Sequence, residues 1–304
     1  SDLKENMNRV LSIQSHVVSG YVGNKAAVFP LQLLGFDVDI INSVHFSNHT
    51  GYPGGWTGDI LNGDQLRAIL LGLEKNRLLE NVAHLLTGYI GSESFLNAIL
   101  EVLTLLRKYS KVRFVCDPVL GDEGNFYVTP ELVHVYRDKV IPLADVVTPN
   151  QFELEQLTGI VVLTLEDAKK ACTILLDMGP SLVFITSLDF KSNVDSGNPI
   201  ITILSAQRQK SGQDEYWRID SPLFNGSFTG TGDLAAALLL GHTANSPDDL
   251  KGCMEKVAST MHLVIKRTHA AFAACDTISS RELKLIASKK DIEDPPILFQ
   301  AYEV

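Results

Sequence analysis

The sequence predicts an α/β fold with a mostly parallel central sheet and helices on both faces. Three observations lead there. Short apolar runs alternate with segments whose apolar residues recur at three- and four-residue spacing. Polar residues follow the predicted strands one after another, where ligands sit in an open parallel sheet. A glycine-rich turn, Phe228-Thr-Gly-Thr-Gly-Asp233, runs straight into the apolar segment Leu234–Leu240.

The elements read in order as follows. Arg9–Gln14 is a strand, and Gly23–Leu34 a helix interrupted by Pro30. Asp37–Val44 is a second strand, Gln65–Asn76 a helix, and His84–Gly88 a short buried strand. Phe95–Tyr109 is helical, Val112–Cys116 is a strand ending at Asp117-Pro118, and Val146–Thr148 is another ending at Pro149-Asn150. The helix Ala168–Met178 leads through Gly179-Pro180 to the strand Leu182–Thr186. Ile200–Ala206 and Tyr216–Ile219 read as a hairpin. From Leu234 to about Ala287 the chain reads as almost continuous helix. The polar residues at strand ends are Ser15-His16, Asn42-Ser43, Thr87-Gly88-Tyr89, Asp117, Thr148-Pro149-Asn150 and Thr186-Ser187.

With 304 residues, 45% hydrophobic and 20% charged, the chain can bury a substantial core. No linker rich in Pro, Gly or Ser divides it, so residues 9–304 are expected to be one domain. The polar residues 1–8 read as a disordered leader or cloning remnant. No run is long and apolar enough to span a membrane. The net charge of −10 argues against a nucleic-acid surface. Cys116, Cys172, Cys253 and Cys275 lack metal-binding spacing and read as reduced thiols of a cytoplasmic protein.

Glycines let the backbone turn sharply and approach a ligand closely. The helix after them presents unpaired N–H groups and a positive dipole end, which suits a phosphate. Asp233 would repel that phosphate unless it served a purpose. Taking the proton of an attacking hydroxyl, while the amides hold the developing charge, is such a purpose. The pattern points to phosphoryl transfer to an alcohol.

Several motifs then appear in a collinear order that resembles the pyridoxal kinase family of the ribokinase-like superfamily. They are Arg9-Val-Leu-Ser-Ile-Gln-Ser-His16 with Gly20-Tyr-Val-Gly-Asn24, Phe46-Ser-Asn-His-Thr-Gly-Tyr52, Cys116-Asp-Pro-Val-Leu-Gly-Asp122, Thr148-Pro-Asn-Gln-Phe-Glu153, Gly230-Thr-Gly-Asp233 and Lys289-Lys-Asp-Ile-Glu-Asp-Pro295. The resemblance covers essentially everything after residue 8. It implies a three-layer ribokinase-like fold and ATP-dependent phosphorylation of pyridoxal, pyridoxine or pyridoxamine. It also implies a divalent ion (Mg²⁺ or Zn²⁺), a monovalent one (K⁺ or Na⁺) and a homodimer.

By resemblance, Asp233 is the catalytic base and Gly230, Thr231 and Gly232 supply backbone donors to the transferred phosphoryl group. Asp122 and Glu153 help place the divalent ion. Asp117, Thr148 and Thr186 match positions near the monovalent ion. Asp117, Asn150, Thr186, Ser187, Thr231 and Gly232 match the ATP site, although Asn150 also fits a simple helix cap. Ser15 and Thr50 match polar contacts to the vitamer. Val22, Val44, Phe46 and Tyr89 are expected to enclose its flat ring, since such pockets are mostly apolar. Tyr127 belongs to a flap. His16, His45 and His49 read as structural. The segment Leu223–Ser227 differs from the animal members, which leaves the adenine contacts open.

Competing readings differ at named residues. Hydroxymethylpyrimidine kinases usually carry Cys in place of Asp233. A dinucleotide oxidoreductase would need Gly-x-Gly-x-x-Gly after the first strand, which Ser15–Gly23 does not match. A vitamer storage protein would have no use for Asp233 with the carboxylates at 117, 122 and 153.

Overall fold

In a computed structural model the structure describes residues 8–190 and 199–304. The expected leader lies outside these except for Asn8, whose amide donates to the Gly35 carbonyl at 3.0 Å.

The strands are β1 (Arg9–Val17), β2 (Asp37–Phe46), β3 (Gly58–Ile60), β4 (His84–Thr87), β5 (Arg113–Cys116), β6 (Gly121–Asp122), β7 (Asn125–Phe126), β8 (Val146–Val147), β9 (Leu182–Leu188), β10 (Ile200–Arg208), β11 (Asp214–Pro222) and β12 (Tyr302–Glu303). Ten of them form one sheet in the order β12-β11-β10-β9-β8-β5-β4-β1-β2-β3, and β6 pairs with β7 apart from it. The run β9-β8-β5-β4-β1-β2 is parallel throughout. The expected hairpin forms, with Ile203 opposite Ile219.

The helices are α1 (Asn24–Leu33), α2 (Gly63–Lys75), α3 (Glu93–Tyr109), α4 (Leu132–Val135), α5 (Gln151–Thr158), α6 (Leu165–Met178), α7 (Thr231–Asn245), α8 (Leu250–Ala274) and α9 (Lys289–Glu293). They cover both faces. One core gathers Leu66, Phe95, Val102 and Cys172 from α2, α3 and α6 with one side of the strands. The other gathers Ala27, Leu31, Leu238 and Val257 from α1, α7 and α8 with the opposite side. Helix α7 is buried on all sides from Leu234 to Thr243, as its uniformly apolar sequence requires.

Two expectations are corrected. Pro30 does not interrupt its helix; it lies inside α1, buried three residues from the end, where packing between sheet and α7 outweighs one missing hydrogen bond. The helical stretch from Leu234 does not continue to Ala287. It breaks between Asn245 and Leu250, where the Asp249 side chain caps α8 by accepting the Gly252 N–H at 2.9 Å. It ends at Ala274, and residues 275–288 form extended chain with two short 3₁₀ turns.

The strand order changes direction at β1, which has β2 on one side and β4 on the other. Ligands in such sheets bind beyond the carboxyl ends at this switch point. Strands β1 and β2 run further than their sequence patterns imply. Their register slips between Gln14/Asn42 and His16/His45, so Ser15 lies at an irregularity beside the switch point.

Candidate active site

The turn before α7 has one feasible composition. Gly230 has a φ of 88°, and a Cβ there would collide with the Tyr21 carbonyl oxygen. No side chain caps the helix. Its first intrahelical bond runs from the Leu234 N–H to the Gly230 carbonyl at 3.1 Å. The amides ahead of it are available to an anion.

Thr231 and Gly232 open into a cavity of about 770 Å³. Thr186 and Ser187 line it from β9, Phe224 and Phe228 from the approach to α7, and Met261 from α8. Its volume and mixed apolar and polar walls suit a nucleotide. The segment Leu223–Ser227, whose contacts the sequence left open, contributes Leu223, Phe224, Gly226 and Ser227 to the wall of this cavity. Met261 and Val162 belong to it without having stood out in the sequence, because apolar residues in helices and loops look the same whether they face a core or a ligand.

The Asp233 side chain points elsewhere. Its Oδ2 accepts the Gly23 N–H at 2.7 Å. Gly23 in turn lies against Ser15, where a Cβ would overlap both the Ser15 carbonyl and hydroxyl oxygens. Beyond it, Val22, Val44 and Phe46 join Val17 in a small apolar cluster, with Tyr89 packed on it. The four residues expected to enclose a flat ring are thus brought together, and Gly23, next to Val22 in the chain, touches both Ser15 and Asp233. Trp56 stacks on Phe46 with ring centroids 3.9 Å apart. The Ser43 hydroxyl donates to the Tyr89 carbonyl at 2.9 Å, which holds the Tyr89 backbone against β2.

Burial pushes the Asp233 carboxyl up from its ordinary range, and the Gly23 N–H offsets part of this by favouring the charged form. Asp117 is 3% exposed. Burial, then the charges of Glu153 and Asp233, raise its carboxyl well above the usual range, while Thr148 opposes the shift. Its Oδ2 lies beside Gly232. The Thr148 hydroxyl oxygen is buried beside the Asp117 carboxyl and makes no hydrogen bond of good geometry among the described residues. A buried carboxyl beside a buried hydroxyl with spare bonding capacity fits a cation held by oxygen ligands.

Glu153 has a different role in the geometry. Its Oε1 accepts the Leu120 N–H at 3.0 Å and its Oε2 the Asn150 N–H at 2.9 Å. Asn150 returns the bond by accepting the Glu153 N–H at 2.8 Å, completing a capping box on α5. The Asn150 amide also donates to the Gly121 carbonyl at 2.8 Å. Both side chains therefore fasten the 120–122 turn to α5. Burial pushes the Glu153 carboxyl up to about 8. Asp122 is exposed at the cavity edge, its Oδ1 accepting the Glu123 N–H at 2.8 Å. Among the described residues no group of three or more His, Cys, Asp or Glu is poised for a metal.

Two expected vitamer contacts stand apart from the cluster. Thr50 is exposed on its loop, and Tyr127, 58% exposed, lies near Asp122 and Glu123. His16 and His45 stack at 5.0 Å, and His49 pairs with Glu282.

Comparisons with known proteins identify the family. Residues 76–248 match the family model described as Phosphomethylpyrimidine kinase. Over its whole length the chain is similar to pyridoxal kinases. One from Arabidopsis thaliana is 51% identical over 303 residues, covering 98% of this chain and 96% of that protein. One from Homo sapiens is 44% identical over 308 residues, covering 96% and 97%. The structure of a pyridoxal kinase from Leishmania donovani in complex with ADP and pyridoxamine superposes with a TM-score of 0.90 at 34% identity, covering 98% of this chain and 99% of that one. The fold, the two-sided site and these full-length relatives lead to one conclusion: the chain belongs to the pyridoxal kinase family and has its ribokinase-like fold.

Proposed function

We propose that this chain transfers the γ-phosphoryl group of ATP to the 5′-hydroxyl of pyridoxal, and likewise of pyridoxine and pyridoxamine. The observation that carries the proposal is the division of labour at the start of α7. The amides of Thr231 and Gly232 open into the nucleotide-sized cavity, while the Asp233 carboxylate turns to Gly23 and the Ser15 side. Relatives support the substrate pair, since the Leishmania donovani enzyme has been captured with ADP together with pyridoxamine or pyridoxine.

In this reading the vitamer ring lies against Val22, Val44, Phe46 and Tyr89, with Ser15 as a polar anchor and Thr50 and Tyr127 arriving as loops close. Its 5′-hydroxyl oxygen forms a bond to the γ-phosphorus, and the bond from that phosphorus to the β-phosphate oxygen breaks. ADP leaves and the hydroxyl proton passes to Asp233. The backbone of Gly230, Thr231 and Gly232 stabilises the charge spread over the transferred group.

Asp117, Thr148 and Thr186 would hold a monovalent cation such as K⁺ or Na⁺. Asp122 and Glu153 would position Mg²⁺ or Zn²⁺ through water and phosphate oxygens, Glu153 mainly by shaping the turn. The ions supply positive charge beside the phosphates. Asn150 and Ser187 complete the nucleotide side. The resemblance further implies a cytoplasmic homodimer, which light scattering would register as twice the 33.3 kDa chain mass.

A hydroxymethylpyrimidine kinase is the second reading, favoured by the description of the family model. A coupled assay with ATP, Mg²⁺ and K⁺ separates the two. Formation of pyridoxal 5′-phosphate by the wild type and its loss in Asp233→Asn is the expected result. Turnover of the pyrimidine alone would overturn it.

A further inference from the structure

Glu282 lies outside every motif discussed above, yet two segments distant in sequence, 20–21 and the 47–57 loop, meet on its carboxylate, and the residue is 7% exposed. Oε2 accepts the Tyr21 N–H at 2.9 Å. Oε1 accepts the Tyr52 hydroxyl at 3.2 Å and lies 3.3 Å from His49 Nε2. Gly20, with a φ of 101°, passes so close that a Cβ would overlap the carboxylate. Burying a carboxylate is costly unless donors surround it. Burial alone would push the Glu282 carboxyl up, but bonds from His49, the Tyr21 amide and Tyr52 outweigh this and hold it below its usual range.

The two ends of the site converge on these contacts. The turn from Gly20 to Gly23 is anchored at one end by Glu282 and at the other by Asp233. The Tyr21 carbonyl packs against Gly230, and the next residue after the carboxylate, Leu283, leans on Gly230 as well. On the other side, His49 and Tyr52 belong to the 47–57 loop, which also carries Trp56 on the Phe46 ring. Charge-assisted hydrogen bonds of this kind are directional and stronger than neutral ones.

We infer that Glu282 is a positioning residue for the phosphoryl transfer: it fastens the 47–57 loop over the vitamer pocket and, through the Gly20–Gly23 turn, sets the place of Asp233. The inference rests on the proposed function for its kinetic part and on the contacts alone for its structural part.

Amide hydrogen exchange and steady-state kinetics on Glu282→Gln, Tyr52→Phe and the double variant test it. Gln keeps the volume and removes the charge. In a folded Glu282→Gln, exchange over residues 20–23 and 47–57 should rise about tenfold, with α5 unchanged. KM for pyridoxal should rise about tenfold and kcat should fall, while KM for ATP stays within about twofold. Tyr52→Phe should loosen the same loop to a smaller degree and add little to Glu282→Gln. Unchanged exchange over 47–57 would overturn the inference, and so would equal losses toward ATP and pyridoxal, which a general structural role would produce. Should Glu282→Gln fail to fold, the Tyr52→Phe exchange and kinetics decide alone. A wild type inactive on pyridoxal would sink the functional reading, while the exchange comparison would still judge the clamp.

Discussion

Asp233 and Gly23, 210 residues apart, are joined by a hydrogen bond of 2.7 Å from the Gly23 amide to Oδ2. This bond brings the helix start that faces the large cavity against the turn that borders the apolar cluster of Val17, Val22, Val44 and Phe46. Among the described residues Oδ1 has no bond of this kind, so one carboxylate oxygen is held in place and the other is not.

Asp233→Ala should lower turnover by roughly 10²–10⁴-fold, the usual worth of a general base. ATP binding, measured by calorimetry, should change little, because the amides of Thr231 and Gly232 remain. A folded variant with wild-type turnover would remove Asp233 from the mechanism.

Gly23→Ala should cost both stability and activity. Gly23 has φ 55° and ψ −131°, a region closed to side chains, and a Cβ would meet Ser15. We expect a loss of about 2 kcal/mol or more in denaturant unfolding, with kcat/KM for pyridoxal falling further than the remaining folded fraction explains.

Asp117→Asn should stabilise the ligand-free protein while impairing the enzyme. A carboxyl raised by burial binds its proton more tightly folded than unfolded. Its favourable contribution is therefore present below the ordinary carboxylate range and lost as pH rises through the raised value. The variant should melt a few degrees higher, roughly 2–4 °C per kcal/mol, at pH 8, with the gap closing toward pH 4. K⁺ should raise the wild-type melting temperature more than that of the variant. A constant gap across this range would show that Asp117 does not carry the strain.

The acidic limb of the pH–rate profile should lie above the range of an ordinary aspartate. Asp233 must be ionised to accept the proton, and burial raises the pH at which that happens. Activity should therefore fall as pH drops through a value above the ordinary aspartate range, about 4. A limb at that ordinary value would contradict the burial of the base.

Phe46→Ala should separate the two chambers. Phe46 is a wall of the apolar cluster proposed to hold the vitamer and the platform for Trp56. KM for pyridoxal should rise about tenfold or more, with KM for ATP unaffected, in steady-state kinetics. Equal effects on both would mean that the cluster is core and not pocket.

The sequence alone determined the local features of this protein. Alternating periodicities marked most strands and helices, polar residues marked the strand ends, and the glycines before Asp233 marked the sharp turn into α7, because each depends on neighbours along the chain. Its motifs also named Val22, Val44, Phe46 and Tyr89 as a group. The tertiary structure decided how distant segments meet. It extended β1 and β2, turned Glu153 and Asn150 toward each other as a cap, and left Thr50 and Tyr127 exposed on their loops. It also ended the last long helix at Ala274, although its apolar spacing seemed to continue, and so released Glu282 to meet Gly20, Tyr21, His49 and Tyr52. Such pairings follow from the order of strands and the packing of helices on both faces, which depend on the free energy of the whole fold and leave no local pattern in the chain.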